Sequence, residues 1–130
     1  MLAQRGEFQE EPLSTLEKLS WKTMEVEQLN DKLTRQMVSG ENATISQLVL
    51  KKGAVVPRHS HANEQYSWIF SGLLKFVFDD REILVGAGEL LVIPPNVAHS
   101  GVALEDTVDV DIFAPRREDW INKDDSYLRK

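Results

Sequence analysis

The 130-residue sequence contains no cysteine. That excludes disulfides, thiolate metal sites and a cysteine nucleophile, and it suits a reducing compartment. No apolar run approaches the length of a membrane span, and the first residues lack the pattern of a secretory signal; a cytoplasmic location without membrane attachment is expected. Positive charge is scarce, with 15 Lys and Arg against 21 Asp and Glu and a formal net charge of −6. Beyond Lys51-Lys52 and Arg116-Arg117 there is no basic cluster, so nucleic acid is not an expected partner. A small anion still is, because a local cationic site outweighs a mildly acidic surface. Helix-length apolar patterns are missing between Trp21 and Phe113, which argues against a βαβ fold. Gly86-Ala87-Gly88 has two glycines of a dinucleotide fingerprint but neither the third nor a following helix, and reads as a turn.

What is present is a period of two. A chain of this length suggests one domain. "ATISQLVL", "YSWIF", "LLKFVF", "EILV", "ELLVI" and "TVDVDIF" are short runs rich in β-branched and aromatic residues, separated by turn signals such as Lys52-Gly53, Ser71-Gly72 and Pro94-Pro95-Asn96. This spacing predicts an all-β sandwich or barrel over residues 21–117. Residues 1–20 read as a tail with at most a short helix, from a capping box Ser14 to Glu17 and Leu13, Leu16 and Leu19 on one side. Residues 118–130 read as a C-terminal tail.

The chain has three histidines. On an extended strand His59 and His61 share a face, and Gln65 has the same parity. His99 must come from another strand. Two imidazoles in cis and one in trans is a common way to build a divalent metal centre. Taken singly, each histidine would more often be a surface or core residue. Ser60 and Ser100, each next to a histidine, point to the opposite face and make no serine–histidine pair.

The frame around these residues carries more. Gly53, His59, His61, Gln65 and Gly72, with gaps of five, one, three and six residues, resemble the first cupin motif. Gly88, Pro94, Asn96 and His99, with gaps of five, one and two, resemble the second. The resemblance implies a single-domain cupin, a small antiparallel barrel or jelly roll, with one divalent ion (Ni, Fe, Mn, Zn or Co) held by His59, His61, Gln65 and His99. Two positions depart from the usual pattern. Asn96 stands where glycine is common, and asparagine also tolerates a left-handed turn. Gln65 stands where most metal cupins have glutamate; Glu64 has the wrong parity unless a bulge intervenes.

Three imidazoles and an amide are all neutral, so a divalent ion keeps its full charge. That favours Lewis acidity and an anionic substrate over oxygen activation at iron. "HSHANEQ" with "DIFAPRREDW" is similar to the KdgF-type cupins, which open the ring of 4,5-unsaturated monouronates from pectin and alginate. By that resemblance Asp111, Phe113 and Arg117 are the active-site residues: Asp111 shuttling protons, Phe113 shaping the pocket, Arg117 gripping the substrate carboxylate as a fork. Asp109, Asp111 and Phe113 share one face of their strand and Val108, Val110 and Ile112 the other. If the valines lined the barrel, Asp111 would be an ordinary solvent acid. The alternatives are a cupin dioxygenase and a non-catalytic cupin that binds a small molecule. Cupins often pair, so a homodimer is expected; Tyr66, Trp68 and Phe70 share one face of their strand, which serves either that dimer or packing between the sheets.

Overall fold

The computed structural model describes residues 11–130. Strand and turn alternate from Glu27 onward: β1 Glu27–Asn30, β2 Leu33–Ser39, β3 Thr44–Leu50, β4 Val55–His59, β5 Glu64–Ser71, β6 Leu73–Val77, β7 Glu82–Gly86, β8 Leu90–Ile93, β9 His99–Ala103 and β10 Thr107–Ala114. They build two antiparallel sheets, ordered β1-β2-β3-β10-β5-β8 and β4-β9-β6-β7. Inward residues of both sheets, among them Leu33, Leu48, Ile69, Leu74, Phe76 and Phe113, make one core. The chain is thus an all-β, single-domain barrel.

Two turns show why the sequence folds this way. Gly72 joins β5 to β6 at φ 92°, and a Cβ there would lie 2.3 Å from the Asp106 carbonyl oxygen; no other residue fits. Asn96 takes φ 64° and so does the work of the glycine it replaces. Its N–H donates to the His61 carbonyl (2.8 Å), tying the turn before β9 to the histidine loop.

Both ends are held by contacts that the sequence does not mark. Residues 14–19 form no helix. Leu16 is fully exposed, so no apolar stripe is buried, and one turn alone cannot overcome its nucleation cost. Instead the Leu13 N–H donates to the Ser39 carbonyl (2.8 Å), strapping the segment along β2. The last thirteen residues are not a loose tail. They form a short helix, α1 (Glu118–Ile121), and a 3-10 turn, Ser126–Arg129, that bury Trp120, Asp125 and Leu128. The 3-10 turn packs on β1 and β4, the edge strands of the two sheets, and so closes the seam between them. Among the described residues no helix is long and apolar enough to cross a membrane.

Candidate metal centre

The structure brings the three histidines together. His59 and His99 are register partners across β4 and β9. The register slips between Val56 and His59, at Pro57, where proline's missing donor suits an irregular strand. His61 follows in the loop before β5. The ring centroids lie 4.4 to 5.5 Å apart, and one nitrogen of each ring lies within 4.8 Å of the others.

Each ring is aimed by its own backbone. Nδ1–H donates to the Pro57 carbonyl from His59 (2.7 Å), to Asn63 from His61 (3.0 Å) and to Val97 from His99 (2.8 Å). A carbonyl only accepts, so Nδ1 carries the proton and each Nε2 keeps a lone pair. Burial, chiefly, pushes His59 and His61 down to about 4 and lowers His99 too. The cluster is neutral at physiological pH, as ligation requires.

Gln65 joins it from β5, buried, whereas Glu64 faces outward and accepts from the Tyr66 hydroxyl (2.6 Å). Gln65 Nε2 donates to Ser67 Oγ (2.9 Å), which donates to Asp111 Oδ1 (2.7 Å). This relay points Gln65 Oε1 at His61 Nε2, 3.0 Å away. Both atoms then present lone pairs with no hydrogen between them. His99 Nε2 is buried without a partner. Adjacent lone pairs and an orphaned nitrogen are what a cation resolves, so His59, His61, Gln65 and His99 fit a divalent ion.

The remaining predicted residues line the same cavity of about 30 Å³, with Asp109, Trp120 and Tyr127. That volume is about one water molecule's share of liquid. Asp109 and Asp111 are buried, and their carboxyls bond to each other. Burial and the neighbouring carboxyl push Asp109 well up. Burial also raises Asp111, but the bonds from Asp109 and Ser67 and the charge of Arg117 oppose it. The two carboxyls therefore titrate as a coupled pair, both holding a proton more readily than a free carboxyl. Phe113 is buried edge-on against His61 (5.6 Å) and Trp120 (5.0 Å).

Arg117 is placed differently from expectation. Its fork is already paired, Nε and Nη2 donating to the two oxygens of Asp119 (2.9 and 2.7 Å). Its guanidinium lies 4.1 Å from the Trp120 ring centroid and 4.7 Å from that of Phe113. Nη1 alone remains, buried and without a partner. One arm of the guanidinium, not the fork, is thus without a partner.

Several site residues escaped the sequence. Ser67 was readable by parity with Gln65. Asn63 donates to the Pro115 and Arg116 carbonyls (2.5 and 3.0 Å), fastening the histidine loop to the end of β10. Tyr127 stacks 4.9 Å from His59, and no spacing or period marks it.

Known proteins place this architecture. An RmlC-like cupin from Shewanella frigidimarina NCIMB 400 superposes with a TM-score of 0.75 at 26% identity, over 82% of this chain and 96% of that one. KdgF from Halomonas sp. does so at 0.76 and 23%, over 82% and 99%. The polyketide cyclase RemF from Streptomyces resistomycificus gives 0.66 and 18%, over 78% and 80%. Among curated proteins none matches the chain. The cupin domain model matches residues 46–114, more than half of the sequence, and with the two motifs and the histidine cluster inside one barrel this chain belongs to the cupin family.

Proposed function

We propose that this cupin opens the ring of 4,5-unsaturated monouronates. The observation that carries the reading is the neutral three-histidine, one-glutamine donor set sharing a cavity with a proton-sharing carboxyl pair and the free arm of Arg117. The fold likeness to KdgF and the matching residues at 111, 113 and 117 support it.

A divalent ion on the four ligands supplies Lewis acidity toward the carboxylate and the adjoining ring oxygen. The chain supplies the rest. Asp111, the member of the pair bonded by Ser67 and nearer the opposing charge of Arg117, takes the proton of the anomeric hydroxyl. The bond from C1 to the ring oxygen breaks, leaving an aldehyde at C1 and an enolate across C4 and C5. A proton returned by the pair to C4 completes the keto form. One proton leaves and one returns, so no oxidant or co-substrate is needed. Phe113 and Trp120 exclude water.

The test is optical. Ring opening destroys a conjugated double bond, so an unsaturated monouronate should lose ultraviolet absorbance faster with metal-loaded protein than in buffer. Asp111→Asn should remove a hundredfold to ten-thousandfold, as is typical of general acid–base groups, about the whole excess rate, with metal content unchanged. Bleaching that never exceeds the buffer control, with any divalent metal, overturns the assignment. Oxygen uptake with a flavonol or diketone would instead mark a dioxygenase.

The proposal includes a second copy of the chain. On the outer face of the larger sheet Ile45, Ile112, Tyr66 and Val92 form one cross-strand row, and Gln47, Val110, Trp68 and Leu90 the next. Tyr66, Trp68 and Phe70 are 37%, 43% and 52% exposed, and Leu90 and Val92 more than half. With aromatic side chains offering roughly 200 Å² each, the patch approaches the ~800 Å² a partner gives a standard interface. Its rows carry no charge, so two identical acidic chains meet there without repulsion. Light scattering should give a dimer, and Trp68→Lys with Leu90→Lys a monomer; an unaltered dimer would move the interface elsewhere.

A further inference from the structure

The hydroxyl of Tyr127 is unusually placed. It accepts from Arg117 Nη2 (3.0 Å) and from Trp120 Nε1 (3.2 Å). Both partners are donors that cannot accept, and a phenol oxygen has two lone pairs. The hydroxyl hydrogen therefore needs a third direction, and no acceptor is recorded for it among the described residues. Tyr127 lines the cavity with its ring against His59. Beside it, in the same cavity wall, Arg117 Nη1 is buried and unpartnered. Two donors without acceptors thus stand next to the histidines. Both are fixed: Arg117 by Asp119, and the segment carrying Tyr127 by Arg35 to Asp125 (2.7 Å) and by Asn30 Nδ2 to the Leu128 carbonyl (3.2 Å).

We infer that Tyr127 and the free arm of Arg117 form a carboxylate subsite for a sugar acid, held together by the C-terminal segment packed on β1 and β4. Tyr127 is then a binding residue that touches substrate. The identity of the sugar acid rests on the ring-opening reading; the subsite itself requires only a carboxylate. A buried donor to a charged acceptor is worth more than a neutral one and is costly to leave unmade, so a carboxylate suits both donors.

The experiment uses metal-loaded, full-length protein and galacturonate, which has the carboxylate but no C4=C5 bond and cannot be turned over by this chemistry. Galactose is the uncharged control. Titration calorimetry should show galacturonate binding and galactose binding far more weakly. Tyr127→Phe should weaken galacturonate about tenfold or more with metal content unchanged, and should lower the thermal midpoint, because Trp120 Nε1 loses its acceptor and Arg117 Nη2 one of two. A 3-fluorotyrosine at position 127 separates direct contact from mere support of Arg117. Fluorine makes the O–H a better donor and the oxygen a poorer acceptor, so direct contact tightens galacturonate binding whereas support of Arg117 loosens it. Equal affinity for galacturonate and galactose, wild-type affinity in Tyr127→Phe, or looser binding by the fluorinated protein would each overturn the subsite. If galacturonate binds and responds as stated while the unsaturated monouronate is not turned over, the subsite stands and the ring-opening reading falls.

Discussion

The two faces of β10 are opposite in the wrong sense for an ordinary sheet. The inward side carries Asp109, Asp111 and Phe113, the outward side Val108, Val110 and Ile112. In β3, its neighbour, the inward side is apolar in the usual way at Leu48 and Leu50 and turns polar at Ser46 and Thr44, opposite Asp111 and Phe113. Buried carboxylates are rare unless paired, and contiguous exposed aliphatics and aromatics are equally uncommon in a monomer. Each half of the inversion points to use: the inner half to proton chemistry, the outer half to contact with another chain. On the proposed reading β10 serves on both sides, while Phe113 and Val110 still pack it between β3 and β5.

The strongest way to break the comparison is at the histidines. Wild-type protein should hold about one divalent ion per chain by elemental analysis, and His59→Ala with His99→Ala none. Equal metal in both would detach the inward polar face from any metal.

Next is β10 itself. Asp109→Val with Asp111→Val should abolish ring opening yet raise the thermal midpoint. A buried carboxyl pair costs desolvation, Asp109 Oδ1 has no partner, and apolar replacement of such pairs is neutral or stabilising by about 1–4 kcal/mol. A clear fall in midpoint would mean that the pair is structural.

Acid sharpens the contrast between the two kinds of buried group. His59 and His61 are held near 4 when folded against about 6.5 unfolded. The unfolded chain binds more protons between those values, so metal-free protein should lose stability as pH falls from about 6.5 toward 4. The raised carboxyls act in the opposite sense, gaining on acidification. A midpoint that climbs steadily from pH 6.5 to 4 would show that the carboxyls outweigh the imidazoles.

The smallest effect concerns Gln65. Gln65→Glu should retain the metal, since carboxylate is a good ligand, but turn over an anionic substrate more slowly. The added charge weakens the centre as a Lewis acid, and glutamate cannot donate to Ser67, whose own hydrogen goes to Asp111. Unchanged or faster turnover would count against this.

The sequence made the strands legible because alternation is a local signal. It gave the histidine frame because turn residues such as Gly72 and Asn96 hold fixed offsets from the ligands. It left open which face of β10 turns inward, because Val108, Val110 and Ile112 make the more probable lining by composition alone. Arg35 is wholly buried yet reads as one more polar residue; its partner Asp125 lies ninety positions later. Trp120, Asp125 and Tyr127 belong to one helical turn and one 3-10 turn with no period to detect. Their burial depends on where β1 and β4 end in space.

The carbonyls of Pro57, Asn63 and Val97 have a calorimetric consequence. They hold each imidazole as the Nδ1–H tautomer, and burial, outweighing their upward pull, keeps Nε2 bare at neutral pH, so an incoming ion has no proton to displace. A cysteine site must shed a proton for every thiolate it forms. This centre should take up its ion near pH 7 with no protons released, and the heat of binding should be the same in buffers of very different ionisation enthalpy.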